Sequence, residues 1–115
     1  IVWQKAHELA LRAYQITTDF PGPEQYALRD QIRRAAASIS ANIAEGKGRQ
    51  GDRAFAHFLD VARGSLFEAQ ALVLLARDLG YVDADPTGEL LHRSEELGKM
   101  LGSLIARCRR SSTDR

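Results

Sequence analysis

Apolar residues return at every third or fourth position along almost the whole chain, and nowhere do they alternate with polar residues for long. That spacing is the period of an α-helix, and it excludes a sheet-based fold before any motif is considered. On the first segment Trp3, Ala6, Leu9, Ala10, Ala13 and Ile16 share one stripe, predicting a helix that runs to about Asp19. "FPGPEQ" then breaks the chain. Pro23 suits the first turn of a second helix, with Glu24 near its positive end. Leu28, Ile32, Ala35, Ala36, Ile39 and Ile43 form the inner face of that helix, and Gly46 fits a left-handed cap.

A third helix is expected from Gly51 or Asp52. Its stripe runs through Phe55, Phe58, Leu59, Ala62, Leu66, Ala69, Leu72, Val73, Ala76 and Leu79 to a stop at Gly80. Asp83 or Asp85 caps a fourth, with Pro86 in its first turn and Leu90, Leu91, Leu97, Leu101, Leu104, Ile105 and Cys108 facing inward. Short connections between helices of similar length favour antiparallel neighbours. The expected fold is therefore all-α, an antiparallel up-down-up-down four-helix bundle. It forms a single domain over residues 1–110, with residues 111–115 as a frayed tail.

A chain of 115 residues supports one hydrophobic core and not two. No apolar run approaches the roughly 20 residues that cross a bilayer. The single cysteine excludes an internal disulfide and suits a reducing compartment, so a cytoplasmic protein without membrane association is expected. Cys108 lies among Arg107, Arg109 and Arg110, a setting that lowers a thiol pKa. A lone cysteine on a helix is nevertheless read as packing.

Residues 35–44, "AAASISANIA", carry no charge at all. A helix without a polar face is normally enclosed on every side, and a four-helix bundle encloses it on only part of its circumference. Helix four repeats the theme with Ser94, Gly98, Gly102 and Ala106 spaced by four. A glycine inside a helix costs about 1 kcal/mol against alanine, which implies a packing reason. The expected cover is another copy of the chain, meeting Ala37, Ser40, Ala41 and Ala44 on helix two and Ser94, Gly98 and Gly102 on helix four.

Chemistry-bearing motifs are sparse. "EGKGRQGD" places lysine between glycines, but it lacks the Walker spacing, the following serine or threonine, and the preceding strand. Its glycines are read as relaxing the turn between helices two and three, where positive φ is needed. Glu45 faces the negative end of its helix and needs a cation. With Asn42 and a loop arginine it is expected to form a network that braces the turn, and direct ligand binding is the alternative. "ELLH", Glu89 to His92, has the Glu-x-x-His spacing of di-iron bundles. It occurs once, and Glu68 points off the inner stripe, so no metal site and no cofactor is expected. His57 and Asp60 stand three apart without a nucleophile, and His7 stands alone. No catalytic constellation emerges, and the chain is read as non-enzymatic.

The bases remain. From Tyr26 to Arg53 the bases Arg29, Arg33, Arg34, Lys47, Arg49 and Arg53 outnumber the acids Asp30, Glu45 and Asp52, and the tail "RCRRSSTDR" is basic as well. Arg33, Arg34, Lys47, Arg49, Arg53, Arg107, Arg109 and Arg110 are the candidates for phosphate contact. The few aromatic residues disfavour sequence-specific reading of single strands.

"LRDQIRRAAASISANIAEGKGR" followed by "FAHFLDVARGSLFEAQALVLLARDLGY" closely resembles the four-helix bundle proteins encoded within intervening sequences of bacterial 23S rRNA genes. The densest parts are Gln31 to Gly46 and Phe58 to Glu68. The resemblance implies a ring-shaped homopentamer. It also points to a similar accessory protein of diversity-generating retroelements, which works beside a reverse transcriptase and binds nucleic acid through a basic pentameric barrel. The present chain departs from that relative in its near-neutral charge of +1. The family brings no catalytic residues. The expectation is a homo-oligomeric scaffold whose partners are other copies of itself, RNA or DNA backbones, and a reverse transcriptase or other nucleic-acid enzyme. The alternative is a protein-interaction ring with no nucleic-acid role.

Overall fold

The computed structural model describes residues 1–23 and 26–113. Four helices follow one another: α1 Val2–Thr17, α2 Tyr26–Lys47, α3 Asp52–Asp78 and α4 Ala84–Thr113. Each packs against its neighbour in the chain, and α4 closes the round against α1, while the diagonal pairs α1–α3 and α2–α4 stay apart. This is the four-helix bundle that the periodicity predicts, drawn out to 53 × 22 × 19 Å.

The helices are less equal than the stripes suggest. α1 has 16 residues and α4 has 30, so they span roughly 24 and 45 Å at 1.5 Å per residue. α1 stops at Thr17, short of Asp19, where the Thr17 and Thr18 hydroxyls turn back to donate to the Ala13 and Tyr14 carbonyls. Such bonding competes with helix propagation, and Pro21 follows. No proline or glycine stops α4, which continues through residues 111–113 of the expected frayed tail. Residues 114 and 115 lie outside the described residues, as does Glu24, expected near the start of α2.

Ile32, Ile39 and Ile43 of α2, Leu59 and Leu66 of α3, and Leu97, Leu101 and Ile105 of α4 are fully or almost fully enclosed. All come from the predicted stripes. Trp3 and Leu79 belong to the same predicted stripes but stay exposed, because both lie at helix ends where no neighbour covers them. Phe20 is buried and packs tilted against Tyr81, with ring centroids 5.8 Å apart, joining the α1–α2 and α3–α4 connections at one end of the rod.

The turns have distinct solutions. α3 ends on Gly80 at φ 82°. The N–H of Gly80 donates to Arg77 and that of Tyr81 to Ala76, the paired bonds of a Schellman motif. Asp83 directly precedes α4, its carbonyl accepting from both the N–H and the hydroxyl of the buried Thr87. Between α2 and α3 only Gly51 has positive φ, at 89° with ψ 154°. Gly46, expected as a left-handed cap, is instead helical and buried. A Cβ there would lie 2.8 Å from Phe58 Cβ and 2.9 Å from Phe55 Cδ1. Its glycine identity serves a close approach of α3 rather than a turn.

Candidate nucleic-acid interface

The antiparallel order brings the start of α1, the α2–α3 turn and the end of α4 to one end of the rod. Lys47, Arg49, Arg53, Arg107, Arg109 and Arg110 are all exposed there. Asp52 is half-buried among them, and Glu45 and Asp60 are exposed. Arg49 Nη2 donates to Glu45 Oε1 at 2.8 Å, and its guanidinium lies over the Phe58 ring, 5.4 Å from the centroid. Glu45 thus receives the cation that its place at a helix C-terminus demands. Lys47, Arg53, Arg107 and Arg110 have no acidic partner among the described residues.

Arg33 and Arg34 do not join this cluster. They precede Lys47 by about four turns of α2, some ~20 Å along the axis. Arg33 is occupied with α1: Nε donates to the enclosed Thr17 hydroxyl at 2.9 Å and Nη2 to the Tyr14 carbonyl at 3.2 Å. Its guanidinium also covers the Tyr14 ring at 4.6 Å. It adds a further donor to the Tyr14 carbonyl, which lies in the last turn of α1, where backbone partners run out. Arg34 is exposed, with no partner among the described residues.

Asn42 and Glu45 do not form one network. Asn42 Nδ2 donates to the Ser38 carbonyl at 2.8 Å and to Ser38 Oγ at 2.9 Å, and Ser38 Oγ meets Ser65 Oγ of α3 at 2.9 Å. Ser38 therefore links α2 to α3 with Asn42 bonded to it from the next turn of α2, while Glu45 serves Arg49. Spacing alone could not separate the two, because the serine that captures Asn42 lies four residues earlier and its partner lies on another helix.

The small residues of α4 also have a cover within the chain. Ser94 is 1% exposed, accepts from Gln70 Nε2 at 2.8 Å and donates to the Leu91 carbonyl at 2.7 Å. A Cβ on Gly98 would lie 3.4 Å from Leu66 Cδ2, and one on Gly102 would lie 3.8 Å from Arg63. This ridge packs on α3 inside the bundle, so the expected contact with another copy does not apply to the buried Ser94. On α2 the expectation has a different footing: Ala41 and Ala44 are exposed, and Ala37 and Ser40 are partly so.

Sequence reasoning missed a second exposed surface with almost no charge. The exposed residues of α3 from Val61 to Leu75 are Val61, Gly64, Phe67, Glu68, Ala71 and Leu75. Val61, Phe67 and Leu75 are 41%, 55% and 48% exposed, and Glu68 is the one charge among them. The signal was legible as a run with almost no charge, but the inner stripe of the same helix masked it. On α1, exposed Leu11 and Tyr14 accompany Trp3, which stacks on His7 with centroids 4.9 Å apart and planes 10° from parallel.

Cys108 is buried, and burial pushes its thiol pKa up from the ordinary 9.0, with Asp52 adding to the rise and Arg107 opposing it. The neighbouring arginines therefore do not prevail, because their side chains leave the helix toward water while the thiol enters the core. Glu89 is held by Arg12 at 2.9 Å and faces Arg93, and His92 faces Glu96 at 3.2 Å. Among the described residues no group of three His, Cys, Asp or Glu side chains gathers to hold a metal. Among the described residues no helix is long and apolar enough to cross a membrane.

The sequence profile of the 23S rRNA-intervening sequence protein family matches residues 1–103. A crystal structure of a protein of unknown function from the S23 ribosomal protein family of Bacteroides thetaiotaomicron superposes with a TM-score of 0.84. That chain is 25% identical, and the match covers 91% of the present chain and 98% of the other. Among curated proteins none matches the sequence. Neither of these likenesses indicates an enzyme family.

Proposed function

Since the chain belongs to the 23S rRNA-intervening sequence protein family, we propose that it is a non-enzymatic scaffold that assembles with copies of itself and contacts the backbone of RNA or DNA. The observation that carries the assembly is the pair of exposed surfaces with little charge, one on α1 and α2 and the other, interrupted by Glu68, on the outside of α3. Monomeric proteins rarely expose contiguous apolar patches of this kind without a partner. The two surfaces differ in their residues, and α1 and α3 do not touch. A surface that docks on a different surface of the next copy builds a closed ring or an open filament, not a two-fold pair. The ring is our reading, and five copies is the number that the family resemblance implies.

The nucleic-acid role rests on the cluster of bases at one end of each bundle. Among the described residues there, Lys47, Arg49, Arg53, Arg107, Arg109 and Arg110 stand against Glu45, Asp52 and Asp60. Repetition around a ring multiplies this local excess into a field that attracts polyanions, even though each chain is almost neutral. A reverse transcriptase or another nucleic-acid enzyme is the class of protein partner that fits such a ring. Filter binding of RNA and DNA to the purified protein tests the reading. Retention at low ionic strength that falls steeply with added salt is expected, and no retention at any ionic strength would reject it.

A further inference from the structure

The open clefts of the molecule differ sharply in chemistry. One lies beside the paired Arg12 and Glu89 and is lined by Asp19 and Asp83, which repel anions. A second is walled by Val2, Met100 and Leu104, and nothing in the structure shows what covers it. The third, about 490 Å³, lies between the first turns of α3 and the last turns of α4 and is lined by Arg53, Ala56, His57, Asp60, Arg109 and Ser112.

We propose that this third cleft is a phosphate-binding subsite. Arg53 and His57 are four residues apart, which sets them on one face of α3, and Arg109 and Ser112 approach from α4. Together they present two guanidinium groups, an imidazole N–H that is available in either protonation state, and a hydroxyl. A tetrahedral oxyanion with several acceptor oxygens matches such a donor set. The carboxylate in the cleft does not oppose it. Asp60 Oδ1 accepts from Arg63 at 2.9 Å and Oδ2 faces Arg109 at 3.8 Å, so its charge is taken up while it positions the Arg109 guanidinium. Arg53 has no acidic partner among the described residues. Ala56 gives the cleft a short floor that leaves room for the anion.

This assignment deepens the nucleic-acid reading by naming where a backbone phosphate seats, and it rests on that reading only for the source of the phosphate. Free phosphate and a phosphodiester share the chemistry, and the test separates them. Amide and side-chain NMR signals of the isotopically labelled full chain are followed during addition of inorganic phosphate, against sodium chloride of equal ionic strength. In parallel, the affinity for a short single-stranded DNA is measured for the unaltered protein, for Arg53→Ala with Arg109→Gln, and for Arg34→Ala.

Phosphate-specific shifts at Arg53, His57 and Arg109 are expected. The double variant should lose affinity for DNA about tenfold or more, and Arg34→Ala should lose clearly less. Phosphate shifts without DNA binding would support the subsite with free phosphate as its ligand and remove the nucleic-acid reading. Loss of DNA binding in the double variant without a response to inorganic phosphate would support it with the phosphodiester as ligand. DNA binding unchanged in the double variant, with phosphate acting as chloride does, would overturn the subsite and leave nucleic-acid binding to other bases.

Discussion

Gly46 and Arg33 show how far a residue's role depends on what the fold brings to it. Gly46 reads as punctuation in the sequence, yet the contact with Phe55 and Phe58 makes it a packing position. Gly46→Ala should destabilise the protein by about 1–3 kcal/mol through overpacking, seen as a lower urea midpoint. Unchanged stability would mean that α3 does not approach so closely. Arg33→Ala should lower stability by about 1–2 kcal/mol, since it removes two hydrogen bonds and the cover over Tyr14. Arg34→Ala should leave stability within about 0.5 kcal/mol, as an exposed substitution does. Equal effects of the two would contradict the role assigned to Arg33.

Cys108 extends this scale to pH. The folded state keeps its thiol neutral to a higher pH than the unfolded chain does. The stability it contributes is therefore complete below about pH 9 and declines as pH rises above the ordinary thiol value of 9.0. Urea titrations at rising pH should show a steeper loss for the native protein than for Cys108→Ala. Identical slopes would mean that burial leaves the thiol unperturbed.

For the elements, the period of apolar residues carried most of the fold. Ile32, Ile39 and Ile43 of α2, Leu59 and Leu66 of α3, and Leu97 and Leu101 of α4 reach the core positions that their spacing implies, because burial of a helical stripe is decided locally once neighbours exist. Spacing cannot say which neighbour covers a second face. Gly98 and Gly102 of α4 and Ala41 and Ala44 of α2 look alike in sequence, yet the first pair lies against α3 and the second remains open. The same limit hid the Asn42–Ser38–Ser65 link and split Arg33 from the bases of the α2–α3 turn. His57 was legible as a neighbour of Arg53 on one helical face, but its place in a cleft needed α4 opposite. If the open faces are joined between copies, Ala41→Glu on α2 and Leu75→Glu on α3 should each dissociate the assembly into folded monomers. Each position is exposed in the single chain, so helix content should hold. An assembly of unchanged size after both substitutions would move the interface elsewhere.

The whole molecule is a slender rod with six exposed bases at one end and two faces that carry little charge. One chain has too little net charge to hold a polyanion well, so the proposed reading needs the local excess repeated in an assembly. Lys47→Ala should weaken RNA and DNA alike and reduce the slope of log affinity against log salt by about one for each phosphate left without its lysine. A sequence-selective effect would contradict backbone contact. The proposed nucleic-acid binding thus depends on the proposed assembly, which is directly measurable. Light scattering on the purified protein at micromolar concentration should give a mass several times the 12.7 kDa of the chain, and a mass of one chain would contradict the account.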